Sequence, residues 1–102
     1  GTAIMLANAI AQKTPYTPEY VYDRHSVRKR REPNEIGIHT VRGGTIVGEH
    51  EVIFAGTDEV ITLSHQAHSK SVFAVGALKA AEFITAPDRT PGLYDMTDMI
   101  AL

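Results

Sequence analysis

Four groups of residues in this chain carry side chains that could bind or transform a ligand. The first is Gly1-Thr2, set before the apolar run 3–11 (AIMLANAIA), which favours a helix because Ala, Leu and Met lose little freedom in one. The opening N–H groups of a helix have no internal partner, and the dipole is positive there. Glycine lets an anion approach closely, and a Thr hydroxyl adds a donor, so Gly1 and Thr2 form a candidate seat for a carboxylate or phosphate. An ordinary N-cap at Thr2 is the plain structural alternative. The second group is Arg24, Arg28, Lys29, Arg30 and Arg31, five of the ten cationic residues, with His25 among them. Such a cluster suits phosphate, either of nucleic acid or of a cofactor, or else pairs with acids such as Glu32 and Glu35. No aromatic residue interleaves with the arginines, which weakens a single-strand reading. The third group is the histidines. His65 and His68 are three apart, and His39 and His50 lie in or beside strands. With no Cys and no His-Glu-x-x-His pattern, a metal site is not expected. The fourth is 42–50 (RGGTIVGEH), with three glycines. It lacks a Gly-Lys-Ser/Thr ending and no helix follows, so a kinked strand is expected, with Arg42 and Glu49 free to pair. No Gly-x-Ser-x-Gly elbow is present.

The elements that must position these residues follow from pattern. Residues 3–11 read as a helix that wants burial almost all round. Residues 14–34 form an excursion opened by Pro15 and Pro18, with an extended stretch around Tyr20-Val21-Tyr22. Three strands follow, over 36–42, 51–55 and 59–66, the last two joined by the turn chemistry of Gly56-Thr57-Asp58 into an antiparallel hairpin. Ser69 or Ser71 caps a long helix whose Phe73, Ala77, Ala80, Ala81 and Ile84 share one face, and Pro87 stops it. Asp95, with Asp98 three residues on, caps a last short helix.

The expected fold class is α+β: a small mixed β-sheet with helices packed on one face. The strands carry apolar residues on both faces, so the other face is expected to serve homo-oligomerisation. The chain has 102 residues, 43% hydrophobic and 22% charged, with net charge −2. That fits one globular domain with a modest core and disfavours wholesale nucleic-acid binding. The absence of cysteine removes disulfides and thiolate chemistry and suits a reducing compartment. No apolar run is long enough to cross a bilayer, so no membrane partner is expected. The opening Gly1, with no Met, raises the expectation of a piece of something longer.

Taken together, Gly1-Thr2-Ala3 before an apolar helix, "NEIGIHTVRGGTIVGEHEVIFAG" from Asn34 to Gly56, "FAVGALKAAEFI" from Phe73 to Ile84 and "PGLYDM" from Pro91 to Met96 resemble the C-terminal domain of dihydrodipicolinate (4-hydroxy-tetrahydrodipicolinate) reductase. The resemblance covers nearly the whole chain. It implies an NAD(P)H-dependent oxidoreductase of the lysine and diaminopimelate pathway, cytoplasmic and homotetrameric. An N-terminal Rossmann domain would bind NADH or NADPH. Residues 1–102 would be part of the substrate-binding and tetramerisation domain, whose partner is a small cyclic dicarboxylate. In the family motif a Gly-Thr pair binds substrate carboxylate, and Gly1 and Thr2 match it. The proton-donating His and Lys of that motif would lie upstream of Gly1, so no catalytic residue, cofactor-binding residue or metal ligand is assigned here, and the isolated chain is expected to be inactive. The basic stretch 28–31 departs from the more Gly-rich segment of other members. The rival from another class is an oligomeric scaffold or nucleic-acid-binding module that uses Arg24, Arg28, Lys29, Arg30 and Arg31.

Overall fold

A computed structural model describes residues 1–100. In chain order it contains α1 (Thr2–Ala11), β1 (Glu19–Val21), β2 (Glu35–Gly37), β3 (Gly48–Ala55), β4 (Val60–Ala67), α2 (Ser71–Ile84) and α3 (Met96–Ile100), an α+β set as expected. The strands form two separate pairs, β1 with β2 and β3 with β4, where one small sheet was expected. Two compact units divide the chain: Gly1–Ile46 with His50–His65, and Val47–Glu49 with the residues from Gln66 onward.

In the first unit, α1 occupies the predicted apolar run. Its exit is closed by the Gln12 N–H on the Asn8 carbonyl (3.2 Å), the Lys13 N–H on that of Ile10 (2.9 Å) and the Thr14 hydroxyl on that of Ala11 (3.0 Å). Those bonds satisfy carbonyls that a helix end leaves open. A side-chain bond ties α1 to β1, with the Tyr20 hydroxyl donating to Asn8 Oδ1 at 2.7 Å. β1 and β2 run parallel, with Glu19 beside Glu35, Tyr20 beside Ile36 and Val21 beside Gly37. The pair is extended at each end by Glu19 N–H to Asn34 O (2.9 Å) and Ile38 N–H to Val21 O (2.8 Å). Parallel pairing demands a long connection, and residues 22–34 supply it without a helix.

The register sets two carboxylates, Glu19 and Glu35, in one row, and the Glu35 side chain is only 9% exposed. Arg24 forms an ion pair with Glu35 and supplies the compensating charge. A carboxylate so far from water is tolerated only when paired.

The expected strand over 36–42 ends at Gly37. From Ile38 to Val47 the backbone is irregular, with Gly44 at φ +48°, a left-handed position where glycine carries no Cβ penalty. Val41 is 82% exposed, so the alternating pattern that suggested a strand does not report burial there.

The β3–β4 hairpin is the one predicted. Gly56 N–H donates to Glu59 O at 2.8 Å, and Asp58 takes φ 58°, which Asp tolerates better than most residues. With Gly56 opposite Glu59, both eight-residue strands pair end to end. Phe54 then faces Ile61, Val52 faces Leu63, His50 faces His65 and Glu49 faces Gln66. The last pair is seen directly, with Gln66 Nε2 donating to Glu49 Oε1 at 3.1 Å. Gln66, directly across the ladder, thus takes the Glu49 carboxylate. Ile53, Val60, Ile61 and Leu63 are all exposed. Among the described residues only Ala7 and Ala67 are buried.

The second unit contains α2 and α3. α2 takes Lys70 as its N-cap with no capping side-chain bond, so neither Ser69 nor Ser71 is the expected cap; Ser69 Oγ accepts the Ser71 N–H at 2.9 Å from just outside the helix. Thr85 closes the other end, its hydroxyl donating to Ala81 O at 2.7 Å. Arg89 then folds back. Its Nε donates to Phe83 O at 3.1 Å, and its guanidinium sits 3.6 Å from the Phe83 ring centroid and 5.6 Å from that of Tyr94. Phe83 and Tyr94 meet edge to face at 5.7 Å. α3 opens on a reciprocal cap: Asp98 N–H to Asp95 Oδ1 (3.2 Å) and Asp95 N–H to Asp98 Oδ2 (2.8 Å).

Two outcomes follow. Arg24→Gln strands the Glu35 carboxylate beside Glu19 and lowers stability by about 2 kcal/mol, less than a fully buried pair because Arg24 is one-third exposed; Glu35→Gln added to it restores part of the loss in urea titrations. Arg89→Ala removes a ring contact and a carbonyl bond together and costs about 1–2 kcal/mol in the same measurement.

Candidate functional site

The start of α1 is the site that the sequence singled out. The helix begins at Thr2, with Gly1 as N-cap, one residue earlier than a Thr2 cap would place it. The first return bond runs from Met5 N–H to Gly1 O at 3.2 Å, so the N–H groups of Thr2, Ala3 and Ile4 precede the helix ladder. No side chain caps them, and no acidic residue sits in the first turn. The ten-residue helix therefore places its positive dipole end at Gly1 and Thr2, with no acidic residue in its own first turn. Gly1 and Thr2 are exposed, and the Thr2 hydroxyl makes no hydrogen bond among the described residues. A Cβ at Gly1 would meet nothing within 4 Å, so the glycine opens the approach without being forced by crowding.

Asn8 is one of the few polar residues of α1, and its bond to Tyr20 fixes the helix against β1. Sequence reading did not single out this link. A polar residue isolated in an otherwise apolar helix was the available signal.

The basic residues fall in the 22–34 connection. Arg24 is spent on Glu35, and Lys29 Nζ lies 4.0 Å from Glu32 Oε1. Both acids had been named as candidate partners of the cluster. Arg28, Arg30 and Arg31 are exposed and form no ion pair among the described residues.

The histidines do not converge. His25 is in the connection, where its N–H donates to Asp23 Oδ1 at 2.8 Å. His39 follows β2, and His68 precedes α2. Only His50 and His65 are brought together, as cross-strand neighbours on the hairpin. No group of three or more His, Asp or Glu suited to a metal occurs among the described residues. Nor is any described helix long and apolar enough to cross a membrane. In the second unit, Phe83, Ile84, Tyr94, Met96 and Met99 line an apolar cavity of about 370 Å³ that holds few polar groups.

The family model described as "Dihydrodipicolinate reductase, C-terminus" matches residues 1–100. A 4-hydroxy-tetrahydrodipicolinate reductase of Caldanaerobacter subterraneus subsp. tengcongensis is 60% identical over 100 residues, which is 98% of this chain and 39% of the relative. One from Clostridium botulinum is 53% identical over 102 residues, 100% of this chain and 40% of the relative. Another from Staphylococcus aureus is 59% identical over 90 residues, 88% and 36% respectively. The chain thus spans about two-fifths of the length of these curated relatives. With a family model matched from Gly1 to Ile100 and residue identity this high, the chain belongs to the dihydrodipicolinate reductase C-terminal family.

Proposed function

We propose that this chain is the substrate-binding and oligomer-forming part of a 4-hydroxy-tetrahydrodipicolinate reductase of lysine and diaminopimelate biosynthesis, and that Gly1 and Thr2 receive a carboxylate of the cyclic substrate. What supports the reading is the family match over residues 1–100 together with the place of Gly1 and Thr2 at the start of α1, whose first turn holds no acidic residue. The amides of Thr2 and Ala3 and the Thr2 hydroxyl converge on an anion as charge-assisted donors. They hold the ring by a substituent that does not react, and so orient it.

The family's chemistry implies a nicotinamide dinucleotide, NADH or NADPH, which supplies a hydride when bound. The described residues do not fit it. The parallel pair β1–β2 is joined through residues 22–34 without a helix or a Gly-rich turn, and α2 opens on Ser69-Lys70-Ser71 rather than on glycines. We place the dinucleotide in an N-terminal domain outside this chain, together with the proton-donating His and Lys that the family motif carries before its Gly-Thr pair.

Apolar residues on both faces of the β3–β4 hairpin support a homotetramer in which sheets from several copies pack together. Burying each such side chain contributes about 1.5–3 kcal/mol, which is ample to drive association.

Pyridine-2,6-dicarboxylate, a planar dicarboxylate probe, is expected to bind the chain and to perturb the Thr2 and Ala3 amide resonances, while the chain alone gives no turnover with NADPH and substrate. Thr2→Val removes the hydroxyl and weakens the probe by about tenfold; unchanged affinity would count against the site. For the assembly, Ile53→Glu and Ile61→Glu place a charge on opposite faces of the hairpin. Sedimentation is expected to show dissociation for the face that is covered, and an intact assembly with both variants would refute sheet packing.

A further inference from the structure

The basic residues of the 22–34 connection have no part in the function proposed above. Five positive charges and no acid occupy residues 24–31, so the net charge of −2 divides into +5 there and −7 over the rest of the chain. Charge this segregated is not needed for folding, because the structure uses only part of it. Arg24 neutralises Glu35 and Lys29 lies beside Glu32, which leaves Arg28, Arg30 and Arg31 exposed without an acidic partner among the described residues.

The two ends of the segment that displays them are tied down. Val27 N–H bonds Arg24 O (3.3 Å), His25 N–H bonds Asp23 Oδ1 (2.8 Å) and Glu35 N–H bonds Glu32 O (3.2 Å). The strand pair below adds Glu19 N–H to Asn34 O at 2.9 Å. The Arg24–Glu35 ion pair closes the base. With both ends anchored, the arginines stay within a short span, and a ligand pays less to gather them than it would from a free tail.

We propose that Arg28, Arg30 and Arg31 form a docking surface for a compact small-molecule polyphosphate, a ligand with two or three adjacent phosphoryl groups. Arginine is the side chain suited to phosphate because its planar fork donates two parallel hydrogen bonds to one group. From residue 28 to residue 31 an extended backbone covers about 10 Å, the reach of a short phosphate chain rather than of a long polymer. The remainder of the molecule carries −7 and repels an extended polyanion, and no aromatic residue stands between the arginines to stack a base.

The test is a titration of the chain with tripolyphosphate at about 0.15 M salt, with orthophosphate and a single-stranded oligonucleotide as the other arms. Saturable binding of tripolyphosphate is expected, tighter than either comparator and weakening as salt rises. Arg30→Gln and Arg31→Gln should each weaken it several-fold, and the triple variant R28Q/R30Q/R31Q by more than about tenfold. Lys79→Gln, which removes a cation on α2 outside the cluster, should leave it unchanged. These side chains are exposed, so unaltered circular dichroism is expected in every variant; if the triple variant does not fold, the two single variants decide. The proposal is overturned by absence of saturable binding, by binding that the arginine variants do not weaken, by orthophosphate binding as tightly, or by tighter binding of the oligonucleotide.

Discussion

Apolar side chains on the β3–β4 hairpin and on α2 have to leave water, and within the described residues they do not. Burial is the main favourable contribution to folding, and here it reaches completion only at Ala7 and Ala67. What organises the chain locally is therefore a set of short polar clamps: Tyr20 on Asn8, Arg24 on Glu35, Gln66 on Glu49, Arg89 on Phe83, and the Asp95–Asp98 cap. Each contributes a modest net amount, because folding exchanges hydrogen bonds with water for internal ones. Clamps of this kind fix geometry, while the apolar side chains of the hairpin and of α2 stay open among the described residues. That division suits a segment whose relatives are more than twice its length.

The same constraint shapes the proposed site. A helix start used for binding has to keep its amides free, which means that it forgoes a capping side chain and the stability such a cap contributes. Of the three helices, α3 opens on the Asp95–Asp98 exchange, while α1 and α2 have no capping side-chain bond at Gly1 and Lys70.

Much of this was legible in the residues. Helix periodicity and capping chemistry located α1, α2 and α3, and Gly56-Thr57-Asp58 located the hairpin, because those signals depend on neighbours in sequence. The pairing of β1 with β2 was not legible. Tyr20-Val21-Tyr22 looked extended, but its partner lies across a long connection, and no local pattern encodes a parallel register. Residues 36–42 misled for a related reason: Ile36, Ile38 and Val41 gave a strand-like pattern, yet the backbone leaves the ladder at Gly37 and exposes Val41. At the candidate site, Gly1 and Thr2 were identified by residue type and by resemblance. The Asn8–Tyr20 bond that steadies their helix was missed, since it joins residues whose side chains reveal their partnership only in three dimensions.

The 22–34 connection also bears on how this molecule survives in a cell extract. Its exposed run of four consecutive basic residues is the kind of backbone that trypsin-like proteases hydrolyse first. A nick after Arg30 would leave Arg24 on one fragment and Glu35 on the other. The two pieces would then be held by the short β1–β2 ladder and by two ion pairs across the cut, Arg24–Glu35 and the looser Lys29–Glu32. Strong buffer salt, which spares the backbone ladder but screens partly exposed charges, would decide whether the nicked halves stay together or drift apart.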